Sequence, residues 1–317
     1  MSDHDENASA GLTVSVCVVV KDRRELMLRC LDSILTQFHP ADEIVVVDNG
    51  SADGTFEALT EAAAALPALR VVQDTGTLGR ARNTAVRTAT GDVVAFTDSD
   101  CTAEPDWLSA GLAPFADQEV GVVQGRTVPE HPPVARWSAT QDIAEPSGLF
   151  EACNVFYRRR ALISAGGFDE EVGFFGEDTA AGWSVLRAGW RDGWAPGAVV
   201  SHVVTTPGLG WHLRRARGYA NWPSLLRRFP ERRDLLWNGL FLRRRSAETD
   251  LAVAGVVTAL LLRRPEPLAA LLPFAWRHRP HGVSRRALAD SAGAAAFDLA
   301  VSAALLHGSL RERTPVL

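Results

Sequence analysis

Short apolar runs that end in polar turns constrain the fold of this chain more than any other feature of its sequence. Four such runs lie in the first hundred residues, at 12–20, 43–47, 69–73 and 93–96. A nearly continuous apolar run is typical of a strand that is covered on both faces, as in a parallel sheet. Segments with helical spacing, such as 25–38, separate these runs. The alternation predicts βαβ units, and therefore an α/β fold with a Rossmann-like, mainly parallel sheet flanked by helices.

Later segments extend this pattern as far as residue 204. Helices are predicted at 107–116 and 179–188, and strands at 120–125, 148–158 and 198–204. Residues 12–210 are therefore predicted to form one domain, and residues 211–317 a separate, basic and helical C-terminal region.

Acidic side chains follow the predicted strands at matching places. Asp22 and Asp48 follow the first two strands, and Asp98 and Asp100 follow the fourth. The ligand crevice of an open α/β sheet lies beyond the carboxyl ends of its strands, so these carboxylates are predicted to share one rim. Two carboxylates one residue apart suit Mg²⁺, which completes its shell with phosphate oxygens and water. The alternative is a polar turn, since Asp and Ser favour turns.

Charge is distributed unevenly along the chain. The formal net charge is −5, yet residues 211–286 contain sixteen arginines and five acidic residues. This asymmetry indicates that the basic part meets an anionic partner. We expect its helices either to pack on the domain or to lie at an anionic membrane surface, with a solvated arginine face as the alternative. No motif in this region supports nucleic-acid binding.

The remaining sequence features concern the cellular setting. The four cysteines show no paired spacing and no zinc-site spacing, which predicts reduced thiols in the cytoplasm. Residues 1–11 are polar and acidic, so they are predicted to be disordered and are not a secretory signal. The apolar runs at 252–262, 267–276 and 287–306 are each short or interrupted by acids, whereas a membrane span needs about 20 apolar residues.

Six short motifs, taken in order, resemble the serial motifs of glycosyltransferase family 2. They are Val-Val-Val-Lys-Asp-Arg at 18–23, Val-Asp-Asn-Gly-Ser-Ala-Asp-Gly-Thr at 47–55, Gly-Arg-Ala-Arg-Asn at 79–83, Asp-Ser-Asp at 98–100, Gly-Gly-Phe-Asp at 166–169 and Gly-Glu-Asp at 176–178. The resemblance covers about two thirds of the chain. It implies an inverting, metal-dependent enzyme with the GT-A nucleotide-sugar fold.

The resemblance also implies roles for particular acids. Asp48 would accept a hydrogen bond from the base of the nucleotide, and Asp98 would contact the ribose or the metal. Asp100 would coordinate Mg²⁺ or Mn²⁺ at the diphosphate of a nucleoside-diphosphate sugar. Asp178 would be the general base that deprotonates a hydroxyl acceptor. The alternative for Glu177 and Asp178 is the ordinary preference for acids at a helix N-terminus.

Three basic side chains have two interpretations each. Arg82 and, more loosely, Arg80 are candidates for contact with the nucleotide or its phosphates, with a surface charge at a helix start as the alternative. His202 is a candidate metal or phosphate ligand, although a lone histidine on a strand is more often a core residue.

The sequence departs from the family pattern at three places. Val20-Lys21 stands where Pro-Thr is usual, and Asp48-Asn49 replaces the usual Asp-Asp. The Gln-x-x-Arg-Trp motif of processive synthases is absent after Asp178. The first two departures keep the key carboxylate, while the absence of this motif and of clear membrane spans favours transfer of a single sugar over polymerisation.

The leading hypothesis is a transferase that moves one sugar to a hydroxyl acceptor, with a lipid-linked or cell-envelope glycan as the acceptor class. This choice of acceptor rests on the basic C-terminal region. The same region would place the protein at the inner face of the plasma membrane as a peripheral protein. Two alternatives stay open. A sugar-1-phosphate nucleotidyltransferase would need a glycine-rich phosphate loop after the first strand, where residues 20–23 contain no glycine. A non-catalytic scaffold with the same fold would be expected to lose Asp100 or Asp178, and both are present.

Overall fold

A computed structural model describes residues 11–171, 175–280 and 282–317. The prediction of a disordered N-terminus, except for Gly11, lies outside the described residues. The chain divides into two compact units: the first comprises the chain up to Pro133 together with Thr140–Thr205, and the second comprises Val134–Ala139 and Thr206–Leu317. The chain enters the second unit for the last time at Thr206, close to the predicted division between residues 210 and 211. We identified no sequence signal that assigns residues 134–139 to the second unit.

The first unit contains one eight-stranded sheet within the described residues. Its strands in chain order are β1 (Val14–Val20), β2 (Glu43–Asp48), β3 (Leu69–Gln73), β4 (Val93–Asp98), β5 (Cys101–Ala103), β6 (Val120–Pro129), β7 (Asn154–Arg158) and β8 (Arg191–His202). The spatial order is β3-β2-β1-β4-β7-β6-β8-β5. The ladders joining β3, β2, β1 and β4, and the ladder between β6 and β8, are parallel; the other three are antiparallel. The predicted mainly parallel α/β sheet is confirmed.

Helices connect the strands of this sheet. They are α1 (Arg24–Leu35), α2 (Thr55–Ala65), α3 (Leu78–Thr88), α4 (Trp107–Leu112), α5 (Arg159–Ser164) and α6 (Glu177–Arg187), with a 3-10 turn at Ala113–Ala116. In α1 the residues Met27, Cys30, Leu31 and Ile34 are buried. This spacing places them on one helical face, so α1 covers the sheet with a single apolar stripe.

Three strands differ from their predicted bounds by more than two residues, and β5 was not predicted. The strand predicted at 120–125 continues to Pro129. The strand predicted at 148–158 begins only at Asn154, because the backbone turns just before it, where the Asn154 amide donates to the Glu151 carbonyl at 3.2 Å. The strand predicted at 198–204 begins at Arg191 and ends at His202. Its register against β6 is irregular. Such an irregularity interrupts the alternation of apolar and polar residues from which strand bounds are predicted.

Strand register brings the acidic turns together. Val20 is paired with Asp48, and Val19 with Asp98, so the carboxyl ends of β1, β2 and β4 coincide. At the far side, β5 runs antiparallel to β8 and pairs Cys101 with His202. His202 therefore lies beside the turn that carries Asp100.

All four cysteines are buried free thiols: Cys17, Cys30, Cys101 and Cys153. Burial raises the pKa of each thiol. The prediction of reduced cysteines agrees with this arrangement, and the thiols are unreactive because the thiolate form is disfavoured.

The second unit is helical in the part that the structure describes. Its helices are α7 (Leu209–Ala216), α8 (Trp222–Arg228), α9 (Arg244–Leu262), α10 (Leu272–Arg277) and α11 (Arg285–Glu312), with 3-10 turns at Arg217–Asn221, Pro230–Leu235 and Glu266–Leu271. Helix α11 packs against α7, α8 and α9. Its buried Asp298 is paired with Arg245 on α9 and lies 3.2 Å from His278 Nε2.

One described helix, α11, is long and apolar enough to cross a membrane when judged by length and composition alone. Its most apolar 18-residue window has a mean hydropathy of 1.3, and 28% of that window is buried inside the protein. The sequence did not single out this helix, because Asp290 and Asp298 interrupt its apolar run.

Candidate active site

The turns after β1 and β2 are joined by side-chain hydrogen bonds. Asp22 has a positive φ of 52°, and its Oδ1 accepts from the Ala52 amide at 2.7 Å. The Asp22 amide in turn donates to Ser51 Oγ at 2.9 Å. Asp22 therefore shapes the rim and holds the second turn in place.

Asp48 ends β2 and is completely buried. Its Oδ2 accepts from the Ser51 amide at 3.1 Å and from Gln73 Nε2 at 3.3 Å. Its Oδ1 is buried and has no hydrogen-bond partner among the described residues. Buried acceptors are nearly always satisfied in proteins, so Asp48 Oδ1 is available to a donor group of a ligand.

Asp98 and Asp100 differ in their surroundings although one residue separates them. Asp98 ends β4, and its side chain is 37% exposed; burial and the neighbouring Asp100 raise its pKa. The Asp100 side chain is 8% exposed, and its Oδ2 is paired with the guanidinium of Arg23. Its Oδ1 has no hydrogen-bond partner in the described part of the chain.

His202 faces the unpartnered oxygen of Asp100. The Nδ1 of His202 lies 2.8 Å from the Val203 carbonyl oxygen, which only accepts, so Nδ1 carries the proton. Its Nε2 then presents a lone pair 3.6 Å from Asp100 Oδ1. Two acceptors that face each other at this distance repel unless a proton or a metal cation lies between them. The pair therefore fits a divalent metal ion, with the histidine tautomer set by the carbonyl behind it.

Cys101 completes the compact group of metal-ligating atoms. The ligand atoms of Asp100, Cys101 and His202 all lie within 4.8 Å of one another. Burial raises the pKa of the Cys101 thiol, and a hard ion such as Mg²⁺ prefers the carboxylate oxygen of Asp100 to sulfur. Asp98, which the sequence also assigned to the metal, is not part of this group and lies 4.0 Å from Arg82 Nη2.

Arg82 on α3 forms a buried ion pair with Glu177 on α6. Its guanidinium also lies 5.7 Å from the centre of the Phe168 ring. Glu177 is thus both an acid in the first turn of α6 and the main partner of a buried cation. Buried arginine needs such a partner, because an unpaired charge in the interior is costly.

Asp178 is the second residue of α6 and is partly buried. Its Oδ2 accepts from the Ala152 amide at 3.1 Å, and its Oδ1 accepts from the Thr179 amide at 2.8 Å. It forms no ion pair with a described residue. Burial raises the pKa of Asp178 to about 7, with Glu177 acting in the same direction and Arg82 opposing it. Gly176, at φ 106°, makes the turn that presents this carboxylate.

Arg80 and Arg82 lie two residues apart but have different environments. Arg80 is 55% exposed and is paired with Asp74 at 2.8 Å. Residues two apart on a helix point in different directions, so only one of them can face the sheet. Arg82 belongs with the acids, whereas Arg80 is a surface ion pair.

Two residues at or near the site were missed by sequence reasoning. Arg23, which pairs with Asp100, stands in the first quoted motif but had no role assigned to it. Glu151 is enclosed near the turn whose Ala152 amide binds Asp178, and burial raises its pKa. For Arg23 the signal was its position next to Asp22 at a strand end; for Glu151 we identify no signal.

The sheet order and the acids at its carboxyl rim define the GT-A class of nucleotide-sugar-binding folds. The model of the Glycosyl transferase family 2 matches residues 15–170, and that of the Glycosyl transferase family group 2 matches residues 93–277. The chain belongs to glycosyltransferase family 2, and the resemblance seen in the motifs is confirmed.

Curated relatives are similar over part of the chain. A "Glycosyltransferase AglE" of Haloferax volcanii is 34% identical over 116 residues, which is 35% of this chain and 38% of that protein. A "Pre-mycofactocin glycosyltransferase" of Mycobacterium tuberculosis is 33% identical over 151 residues, or 43% of this chain and 32% of that protein. The matched segment thus spans about a third of the length of each relative.

Among solved structures, the mannosyltransferase PcManGT from Pyrobaculum calidifontis, in complex with GDP-Man and Mn²⁺, is similar over nearly the whole chain. The TM-score is 0.58 at 23% identity, covering 95% of this chain and 87% of that one. This likeness confirms the predicted GT-A fold.

Proposed function

We propose that this protein transfers a single sugar from a nucleoside-diphosphate sugar to a hydroxyl acceptor, with inversion at the anomeric carbon. The observation that carries the proposal is the pair of differently held carboxylates at one rim: Asp178, whose pKa burial raises to about 7, and Asp100, which is paired with Arg23. Asp178 can then take up a proton while Asp100 keeps its negative charge, and this difference suits acid–base chemistry beside a bound cation.

Asp178 is proposed as the general base. Its carboxylate takes the proton of the acceptor hydroxyl while that oxygen attacks the anomeric carbon. The bond from this carbon to the diphosphate oxygen breaks, and the nucleoside diphosphate leaves from the opposite face. A base is most effective when its pKa lies near the operating pH, which burial beside Glu177 provides.

Asp48, Asp98 and Arg82 are proposed to hold the nucleotide. Asp48 Oδ1 is a buried acceptor without a protein donor, which fits an N–H group of the base. Asp98 ends β4, which is separated from β2 by β1, and its partly exposed carboxylate fits a ribose hydroxyl. Arg82 lies 4.0 Å from Asp98 and is proposed to face the phosphates while Glu177 keeps it in place.

Asp100 and His202 are proposed to hold Mg²⁺ or Mn²⁺, through Asp100 Oδ1 and His202 Nε2. A bound divalent ion would neutralise charge on the departing nucleoside diphosphate. The support for this site is the facing pair of acceptors at 3.6 Å. The presence of Mn²⁺ and GDP-Man in the complex of PcManGT also supports a metal and a nucleotide sugar here.

The acceptor is proposed to be lipid-linked, which would place the protein at the inner face of the plasma membrane. The support is chemical: the second unit combines sixteen arginines in residues 211–286 with exposed leucines on α9. A polybasic segment beside apolar residues is attracted to anionic lipid headgroups.

A donor screen tests the proposal. The thermal stability and donor hydrolysis of the wild type, Asp100→Ala and Asp178→Asn would be measured with UDP-, GDP-, CDP- and dTDP-sugars, with and without Mn²⁺. Asp117→Asn is the matched control, because Asp117 forms a half-exposed ion pair with Arg191 away from the site.

The proposal predicts that one nucleotide stabilises the wild type only with metal, that Asp100→Ala loses this effect, and that Asp178→Asn binds without turnover. Binding of no nucleotide sugar would contradict it and leave the scaffold hypothesis. Release of pyrophosphate from a nucleoside triphosphate and a sugar 1-phosphate would instead establish a nucleotidyltransferase. NMR of the anomeric proton in the product distinguishes inversion from retention.

A further inference from the structure

Helix α9 packs on the segment that follows it in the chain, and small residues make this contact. A Cβ atom on Gly255 would lie 2.6 Å from the Pro267 carbonyl oxygen and 2.8 Å from the Ala270 Cβ, so only glycine fits this approach. Ala252 and Ala259 on the same helix are buried as well. The face that α9 buries therefore consists of small side chains.

The large apolar side chains of the same segment point outward. Their exposed fractions are 73% for Leu260, 78% for Leu261, 60% for Leu262, 69% for Leu272 and 70% for Trp276. In a helix pair surrounded by water, large apolar residues are normally inside. Small residues at the helix contact and large apolar residues outside are typical of helices that pack in an apolar medium.

Arginines surround this apolar surface. Residues 251–286 contain six arginines and a single acidic residue, Glu266. Arg263 and Arg264 follow the last leucine of α9, and their side chains make no ion pair with a described residue. Arg279 stacks on the exposed Trp276, with its guanidinium 3.8 Å from the ring centre. Arginine and tryptophan side by side suit the boundary between lipid headgroups and acyl chains.

We propose that residues 251–280, named here the outward-apolar segment, dock on an anionic lipid bilayer. The apolar part of α9, from Leu251 to Leu262, is about 18 Å long at about 1.5 Å per residue. The hydrocarbon core of a bilayer is about 30 Å thick. The apolar part of α9 is therefore too short to span the bilayer, and the outward-apolar segment is proposed to lie in the headgroup boundary with its leucines inserted.

Charge favours lipid over a second copy of this chain as the occupant. A symmetric dimer through this surface would bring Arg263 and Arg264 of both copies together, whereas Arg277 is already paired with Glu248 and Glu266 is the single acid of residues 251–286. Anionic headgroups would instead neutralise Arg263 and Arg264 while the acyl chains cover the leucines. The proposal extends the membrane part of the proposed function, but its test measures no sugar transfer and is independent of the donor screen.

The test is flotation of the full chain with vesicles of phosphatidylcholine alone or mixed with phosphatidylglycerol. The variants are Arg263→Gln/Arg264→Gln and Leu261→Asp/Trp276→Asp. Phe38→Asp is the matched control, since Phe38 is 75% exposed but lies in the first unit. Circular dichroism and thermal melting without donor check that each variant folds, and light scattering after gel filtration gives the oligomeric state.

We expect the wild type and Phe38→Asp to float with the phosphatidylglycerol vesicles and to bind neutral vesicles much more weakly. Removing both arginines should weaken binding about thirty-fold, and Leu261→Asp/Trp276→Asp should abolish it. Failure of the wild type to bind either vesicle would overturn the proposal, and so would equal binding to both. A dimer that Leu261→Asp/Trp276→Asp converts to a monomer would assign the surface to self-association. The arginine variant keeps the test informative even if the double aspartate variant does not fold.

Discussion

Asp100 and Asp178 are both carboxylates at the carboxyl rim of one sheet, but different groups hold them. Asp100 is paired with the guanidinium of Arg23 and lies 3.6 Å from the imidazole of His202. Asp178 accepts two backbone amides and has an acidic neighbour, Glu177. A positive partner favours a permanent negative charge, whereas burial beside another acid favours a carboxylate that binds and releases a proton. This difference supports the proposed metal-ligand role of Asp100 and the proposed base role of Asp178.

Replacing the base is expected to have the largest effect. Asp178→Asn keeps the shape and one acceptor oxygen but cannot take a proton, so turnover should fall about 10³-fold. Donor binding should be unchanged, since the amide retains contact with the Ala152 backbone. Single-turnover kinetics and a donor titration check both expectations. Equal losses in Asp178→Asn and in the surface control Asp117→Asn would remove the distinction between the two carboxylates.

Replacing the proposed metal ligands, Asp100 and His202, should instead weaken the binding of metal and donor. His202→Gln is expected to weaken the metal-dependent stabilisation by donor about 10–100-fold, and Asp100→Asn should abolish it. A titration of Mn²⁺ followed by thermal shift measures this effect. Arg23→Gln serves as a comparison, because it removes the cation beside Asp100 but no ligand atom. If Asp100→Asn binds metal as the wild type does, the ion is held elsewhere.

The pH dependence of turnover reports the state of Asp178. Since the folded protein raises the pKa of this carboxyl to about 7, the base is ionised above that pH and activity should fall below it. Glu177→Gln removes the acidic neighbour, so the acidic limb of the profile should move to lower pH. Rate profiles of the two proteins measure the shift. A limb that stays in place, or moves to higher pH, would contradict the assignment of the base.

As the pH rises through about 7, turnover should increase while the free energy of unfolding should decrease. This change in stability is the smallest of the expected effects. An unfolded aspartate has a pKa of about 3.9, so the folded state binds this proton more tightly between about pH 4 and 7. Ionised Asp178 then destabilises the folded protein above about pH 7, and Asp178→Asn should be more stable there by about 1–2 kcal/mol. The gain should shrink near pH 5. Urea denaturation at the two pH values measures it, and a variant less stable than wild type at pH 8 would contradict the expectation.

The first four strands were predictable because their signal is local. Strands β1, β2 and β4 are short buried runs rich in valine, whereas the valines of β3 are half-buried. A polar turn follows each strand, and β1–β4 form within two residues of their predicted bounds. The bounds of β7 and β8 were less accurate, since a backbone turn and an irregular register interrupt their pattern. The family resemblance named the candidate site acids, but sequence spacing could not show which of them would be paired.

Pairings between distant residues explain most of what the sequence did not reveal. Arg82 meets Glu177 across 95 positions, and Arg23 meets Asp100 across 77. Such contacts depend on how the helices pack on the sheet, which no local pattern encodes. The difference between buried Arg82 and exposed Arg80 is of the same kind, because it depends on which face of α3 meets the sheet.

The four buried thiols make the protein convenient for spectroscopy. Because burial both shields them and raises their pKa, maleimide reagents at neutral pH should leave them unmodified in the folded state. A single new cysteine, such as Leu261→Cys, would then be the one reactive site, with no native cysteine to remove first. A nitroxide or environment-sensitive dye attached there would report immersion depth directly, and the unlabelled wild type would serve as its own blank.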